Sequence, residues 1–94
     1  MDVTSNPIVV TAADVAAGAV TVWKGKLLIT NIIFMQYLAD TDTCTINQSN
    51  GKLFAYLTGD TDFDIQRTGD VRHADGLVVP HGGITNGMAL IYHR

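Results

Sequence analysis

Apolar and polar residues alternate in short runs along this chain, and clusters of Asp, Asn and Gly separate the runs. Residues 43–47 and 52–57 show the alternation most clearly, and they flank Asn50-Gly51. A period of two is typical of half-buried strands, and Asn-Gly supplies the positive φ of a hairpin turn. Residues 43–57 are therefore predicted to form a β-hairpin.

Shorter runs of the same kind predict further strands on both sides of this hairpin. These strands are expected at residues 8–11, 19–23, 63–67, 71–73, 77–79 and 87–92. Turns are expected between them, at residues 24–26, 40–42, 59–62, 68–70 and 74–76. Residues 11–18 fit two structures, a single helical turn capped by Thr11 and ended by Gly18 or a loop.

The longest apolar run, residues 27–38, has apolar side chains at both odd and even positions. A strand that is buried on both faces gives this pattern, and a buried helix gives it too. Four of its first seven residues are Ile or Thr, which favours the strand. Asn31 lies inside the run and, if buried, needs a hydrogen-bond partner.

Composition favours the same fold class. Val, Ile and Thr make up 28 of the 94 residues, and all nine acidic residues are Asp, with no Glu. β-Branched residues suit a pleated sheet, and Asp prefers turns to helix interiors. With turn signals at regular intervals, we predict a single all-β domain over residues 1–94. The expected architecture is a small antiparallel sandwich of jelly-roll type, with about seven or eight short strands and at most one helical turn.

Charge and cysteine content limit the partners and the compartment. Charged residues are only 16% of the chain, the net charge is −3, and the six cations are scattered. A nucleic-acid surface needs clustered cations, so no nucleic-acid partner is expected. Low charge on a small domain favours a surface covered by copies of the chain or by a larger assembly. The chain shows neither a signal peptide nor a transmembrane run, and its one cysteine, Cys44, indicates a reducing cytoplasm as the place of synthesis.

No constellation of residues predicts a reaction centre, a metal site or a cofactor. The Asp residues at 40–42 and 60–64 could offer oxygens to calcium, but they lack an EF-hand pattern and suit turns. His73, His81 and His93 lack the close spacing of zinc ligands. Cys44 alternates in phase with Ile46 and is expected to be an inert core thiol. We therefore expect a protein that is not an enzyme.

Three aromatic residues are candidates for an interface. If Leu53 and Leu57 face the core, Phe54 and Tyr56 face the other side of the same strand, where large rings indicate a covered surface. With the opposite parity, both rings belong to the core. Trp23 completes the set of possible interface residues.

The chain resembles small structural proteins of tailed-bacteriophage virions, of the capsid decoration or cement type. The resemblance lies in Gly-Lys-Leu-Leu-Ile-Thr-Asn-Ile-Ile-Phe (25–34), Thr-Ile-Asn-Gln-Ser-Asn-Gly-Lys-Leu (45–53), Asp-Gly-Leu-Val-Val (75–79) and the last strand (87–92). It implies a β-rich homotrimer that binds the major capsid protein on the capsid surface and stabilises a phage head.

Two alternatives stay open. One is a tail, adaptor or fibre component of the same particle. The other is a carbohydrate- or ligand-binding β-sandwich, in which Trp23, Tyr37 or Tyr56 would stack on a sugar ring.

Overall fold

The chain folds into strands joined by turns, and no helix is present among the described residues. The computed structural model describes residues 1–69 and 71–94, so the end of the predicted turn 68–70 lies outside the described part. Within these two ranges there are seven strands: β1 (Ile8–Thr11), β2 (Val20–Met35), β3 (Thr43–Asn47), β4 (Leu53–Thr58), β5 (Ile65–Arg67), β6 (Arg72–Val79) and β7 (Met88–His93). The predicted all-β class is confirmed.

All seven strands belong to one hydrogen-bonded sheet in the order β1-β7-β2-β6-β3-β4, with β5 paired to β2, and every pairing is antiparallel. The sheet is therefore continuous, and the predicted division into a sandwich of jelly-roll type is not confirmed. The long strand β2 connects the parts of the sheet. Its first half pairs with β6, whereas its second half pairs with β7 and β5.

Strand β2 keeps one face on the core because the alternation of its buried and exposed side chains is shifted at irregular points along the strand. Register shifts occur against β6 between Thr21 and Trp23 and between Trp23 and Lys26, and against β7 between Ile29 and Asn31. An extra residue in a strand moves all later side chains to the opposite face. Across the shifted regions, the residues that β2 buries change from even-numbered to odd-numbered and back to even-numbered: Val22, Leu27, Ile29, Ile32 and Phe34.

These shifts correct three expectations about β2 and β6. Residues 24–26 and 74–76 do not form turns, because each lies inside a continuous strand at the point where β2 bulges against β6. Residues 27–38 are not equally buried on both faces, since Leu28 and Ile33 are only half-buried. The Oδ1 atom of Asn31, beside the second shift, is buried and accepts no hydrogen bond among the described residues.

The predicted hairpin at residues 43–57 is confirmed. Strands β3 and β4 pair antiparallel, and the Gln48 amide donates to the carbonyl of Lys52 at 2.8 Å to close a three-residue loop. Gly51 ends that loop with φ of 86°, the left-handed conformation that a glycine adopts most readily.

Residues 11–18 form turns, so the loop alternative is the correct one for this segment. Asp14 accepts a hydrogen bond from the Thr11 amide at 2.9 Å, which fixes the first turn. Val15 is completely buried in the core, and its carbonyl accepts from the Gly82 amide at 2.9 Å. A single apolar side chain thus anchors the segment that follows β1.

One apolar cluster holds the sheet together. It contains fully buried side chains from five strands, among them Ile8, Ile32, Ile46, Leu77 and Ile91. Burying one such side chain contributes about 1.5–3 kcal/mol relative to leaving it exposed.

No helix among the described residues has the length and apolar character to cross a membrane.

Gly87 offers a test of the tight contact between β7 and the end of β2. Its φ is 91°, and a Cβ there would lie 2.3 Å from the carbonyl oxygen of Met35. We expect Gly87→Ala to reduce the free energy of unfolding by more than about 1 kcal/mol, because the alanine is strained and clashes with backbone. Urea unfolding followed by circular dichroism measures this loss.

Gly18→Ala is the matched control, because nothing lies within 4 Å of a Cβ at Gly18. This variant should be as stable as the unsubstituted chain or slightly more stable. Equal unfolding midpoints for the two variants would show that the Gly87 contact is looser than described.

Candidate interaction surfaces

A buried carboxylate fixes the loops at one end of the sheet. Asp42 is only 6% exposed, although the sequence places it in a surface turn. Its Oδ2 accepts from the amides of Leu38 and Ala39 at 2.7 and 2.9 Å. Its Oδ1 accepts from the Asn86 side chain at 2.9 Å and from the Thr85 hydroxyl at 3.2 Å. One side chain therefore joins the β2–β3 connection to the segment before β7.

Hydrogen bonding also sets the charge state of Asp42. The bond from the Asn86 side chain and the bond from the Leu38 amide stabilise the ionised form, and they hold the pKa of Asp42 below its ordinary value. Nothing local in the sequence marks this residue, because Thr85 and Asn86 lie more than forty positions away. Sequence reasoning missed the role for that reason.

The loop held by Asp42 lies beside an exposed apolar ridge of Phe63 and Ile65. Phe63 is 62% exposed and Ile65 is 39% exposed. The Tyr37 hydroxyl holds the preceding loop, since it lies 3.0 Å from the carbonyl oxygen of Asp60 and close to that of Phe63. Ile65 is directly opposite Met35 at the end of β2, so the ridge continues the sheet.

Shallow grooves lie on the two sides of this ridge. The first has a volume of about 330 Å³ and is lined by Met35, Gln36, Tyr37, Thr61, Phe63, Asp64 and Ile65. The second has a volume of about 420 Å³ and is lined by Asp60, Phe63, Ile65, Gln66 and Arg67. Asp62 is exposed in the same loop and Arg67 is the only cation in either lining, so the surroundings are mainly acidic. We call the ridge with both grooves the acidic groove.

A second surface consists of neutral side chains and is bordered by the exposed Lys26 and Asp75, which lie opposite each other on β2 and β6. Directly opposite residues share a face of a sheet, and on the outer side of β2, β6, β3 and β4 the register aligns neutral side chains. They are Thr21, Thr43, Thr45, Asn47, Leu53, Tyr56, Thr58 and Val78. All are exposed or half-buried, and Tyr56 and Leu53 are the most prominent, at 55% and 58% exposed. We call this surface the threonine face.

The structure separates the three aromatic candidates. Tyr56 lies on the threonine face, whereas Phe54 is buried, so neither alternative, both rings outward or both in the core, describes this strand, and Phe54 is not an exposed interface residue. The register shift between Ile46 and Asn47 leaves Phe54 as an extra residue, and both Phe54 and its neighbour Ala55 turn to the core. The Arg72 guanidinium covers the Phe54 ring at 4.4 Å from its centroid.

Trp23 is half-buried, with its ring 5.8 Å from that of His93. It lines a groove of about 330 Å³ with Val3, Thr21, Val22 and Lys24. The groove beside Trp23 therefore borders the threonine face at Thr21, and a role for Trp23 or Tyr56 in an interface stays a prediction.

The residues considered for chemistry lie apart from one another. The described part of the chain contains no group of three His, Cys, Asp or Glu side chains that could hold a metal ion. His81 and His93 contact the carbonyl oxygens of Ala16 and Ser5, at 2.8 and 3.0 Å, through Nε2. Cys44 is a buried free thiol, as expected, and burial raises the pKa of Cys44 to about 12.

Comparison of the chain with protein-family models, with curated proteins and with solved structures found no match. Its function is therefore inferred from its own surfaces.

Asp42 predicts an acid-sensitive fold. Its pKa is lowered in the folded chain, so its contribution to stability is complete above the unfolded pKa of about 4 and is lost as the pH falls through the lowered value. Asp42→Asn should lower the urea midpoint at neutral pH. The new NH₂ group would face either the amides of Leu38 and Ala39 or the donors of Thr85 and Asn86, and it cannot accept their hydrogen bonds. Between about pH 5 and pH 2, this variant should also lose less stability than the unsubstituted chain.

Asp64→Asn, a change at an exposed aspartate, is the control and should follow the unsubstituted chain at every pH. If the urea midpoints of Asp42→Asn and of the unsubstituted chain changed with pH by the same amount, the role given to this carboxylate would be contradicted.

Proposed function

We propose that the chain is a non-enzymatic structural protein of a virion, a capsid decoration protein that stabilises a phage head as a homotrimer. The observation that carries this proposal is the threonine face, in which four strands align neutral side chains that are exposed or half-buried. Such a face suits burial against a shell protein better than it suits catalysis.

The energetics of association support this use of the threonine face. The centres of protein interfaces are depleted in charged residues and enriched in tyrosine. Burying a charge requires removal of its water shell, whereas the hydroxyls of Thr43, Thr45 and Thr58 can exchange water for a partner's hydrogen-bonding groups. The exposed Tyr56 ring on β4 supplies apolar area for the contact.

A decoration role also fits the size and composition of the chain. A domain of 94 residues buries a modest core, and association that requires the folded form adds to its stability. Many identical copies on one shell multiply a modest contact into strong attachment. The resemblance to phage decoration proteins is consistent with this view and names the partner, the major capsid protein.

Charge placed on the threonine face should prevent attachment. Tyr56→Lys removes the exposed ring of the threonine face and puts an ammonium group where the partner would bury it, so binding to heads prepared without this protein should weaken by about tenfold or more. Cosedimentation of the purified chain with such heads measures the affinity. Tyr56 is largely exposed, so the monomer fold is expected to persist.

Ala17→Lys is the matched control, since it adds the same charge at an exposed position in the turn after β1. Equal loss of binding in both variants would point to a general charge effect and contradict a specific role for the threonine face. Failure of the unsubstituted chain to bind such heads would overturn the proposed function itself.

A second function, carbohydrate binding, is supported by the groove beside Trp23. Aromatic rings next to shallow grooves can stack on sugars, and Lys24 and Thr21 add polar groups there. On this alternative, titration calorimetry against a panel of glycans would show millimolar binding that Trp23→Ala abolishes. The absence of heat with every glycan, or binding that Trp23→Ala does not change, would contradict it.

A further inference from the structure

A basic projection lies on the first half of β2. Lys24, Gly25 and Lys26 are all exposed, and they occupy the bulge against β6. No atom lies within 4 Å of a Cβ built at Gly25, so the projection extends into solvent. Lys26 lies opposite Asp75 in the register with β6, and Lys24 lies in the bulge between the pairs Trp23–Leu77 and Lys26–Asp75. We call residues 24–26 the lysine bulge.

The acidic groove lies at the opposite end of the same strand, where Met35 pairs with Ile65. Asp62 and Asp64 are exposed there, and Asp60 lines the second groove. The chain therefore carries a basic projection at one end of β2 and an acidic, apolar concavity at the other.

We propose that the lysine bulge of one copy binds in the acidic groove of the next copy, so that copies join head to tail in a closed ring. This inference rests on the proposed function, because it names the surfaces through which the homo-oligomer forms. No residue of the threonine face lines the acidic groove, so that face can still bind the shell protein.

Charge and shape favour a second copy as the occupant. The lysine stems can lie along the exposed rings and chains of Phe63 and Ile65 while their ammonium groups reach Asp62 and Asp64. Opposite charges across an interface also fix its orientation. Because the two surfaces lie on different parts of the molecule, their contact is heterologous, and contacts of this kind generate rings when the rotation closes.

Pairing of the acidic groove with itself is disfavoured. A twofold contact would bring the Asp62 and Asp64 carboxylates of two copies together, and like charges placed across an interface oppose association. The trimer expected from the resemblance needs a head-to-tail contact, which the lysine bulge and the acidic groove can provide.

A charge-reversal cycle tests the contact. One variant carries Lys24→Asp and Lys26→Asp, the second carries Asp62→Lys and Asp64→Lys, and the third carries all four changes and keeps the net charge. Sedimentation analysis across a dilution series gives the concentration of half-dissociation for each. Each two-site variant should raise it by at least about tenfold, and the four-site variant should restore it to near the original value.

All four positions are exposed and none of their side chains is needed for a strand pairing, so the variants are expected to fold. Circular dichroism and the urea midpoint check this directly. An apolar variant, Phe63→Ser, should weaken assembly in the same way, whereas Leu38→Ser, at a position 75% exposed but outside both groove linings, should not.

The outcomes separate the two proposals. The contact is overturned if both two-site variants assemble as well as the unsubstituted chain. It is also overturned if the four-site variant dissociates as readily as the two-site variants do. Either result leaves the proposed function intact. An unsubstituted chain that stays at its single-copy mass of 10.1 kDa at all concentrations overturns the homo-oligomer and the contact together.

Discussion

The constraint on which this fold depends is that a sixteen-residue strand must keep one face on a small core while it serves three partners. A regular strand of that length would twist away from a core of this size. Strand β2 stays on the core because extra residues near Gly25 and near Thr30 bend it and reset its alternation. The bend lets β6 and β7 pair with different halves of the same strand and bury one common cluster.

Loops at the end of β2 are ordered by polar contacts that the core cannot supply. Asp42 gathers four hydrogen-bond donors from two distant segments, and the Tyr37 hydroxyl holds the loop that carries Phe63. These contacts keep the apolar ridge at Phe63 and Ile65 exposed and in a defined shape. Preorganised side chains lose less freedom on binding, so the same contacts that stabilise the fold also prepare a surface for a partner.

The sequence predicted the fold class and the β3–β4 hairpin because both depend on local signals, namely alternation and Asn50-Gly51. It failed where a local pattern has two structural causes. Apolar residues at both parities of 27–38 arise from a register shift within a one-sided strand, and Lys24-Gly25-Lys26 is a bulge that has the composition of a turn. Asp42 and the threonine face could not be found from local sequence, because both depend on residues that only the folded sheet brings together.

Strand β4 forms one border of the sheet, and its protection would matter for the proposed decoration role, in which many copies lie side by side. The Arg72 guanidinium donates to the carbonyl of Phe54 and covers its ring, and the irregular backbone there interrupts the ladder. Open borders recruit further strands and can seed cross-β fibrils. By closing part of this border with a side chain of its own, the chain can be crowded onto a surface with less risk of polymerising into amyloid.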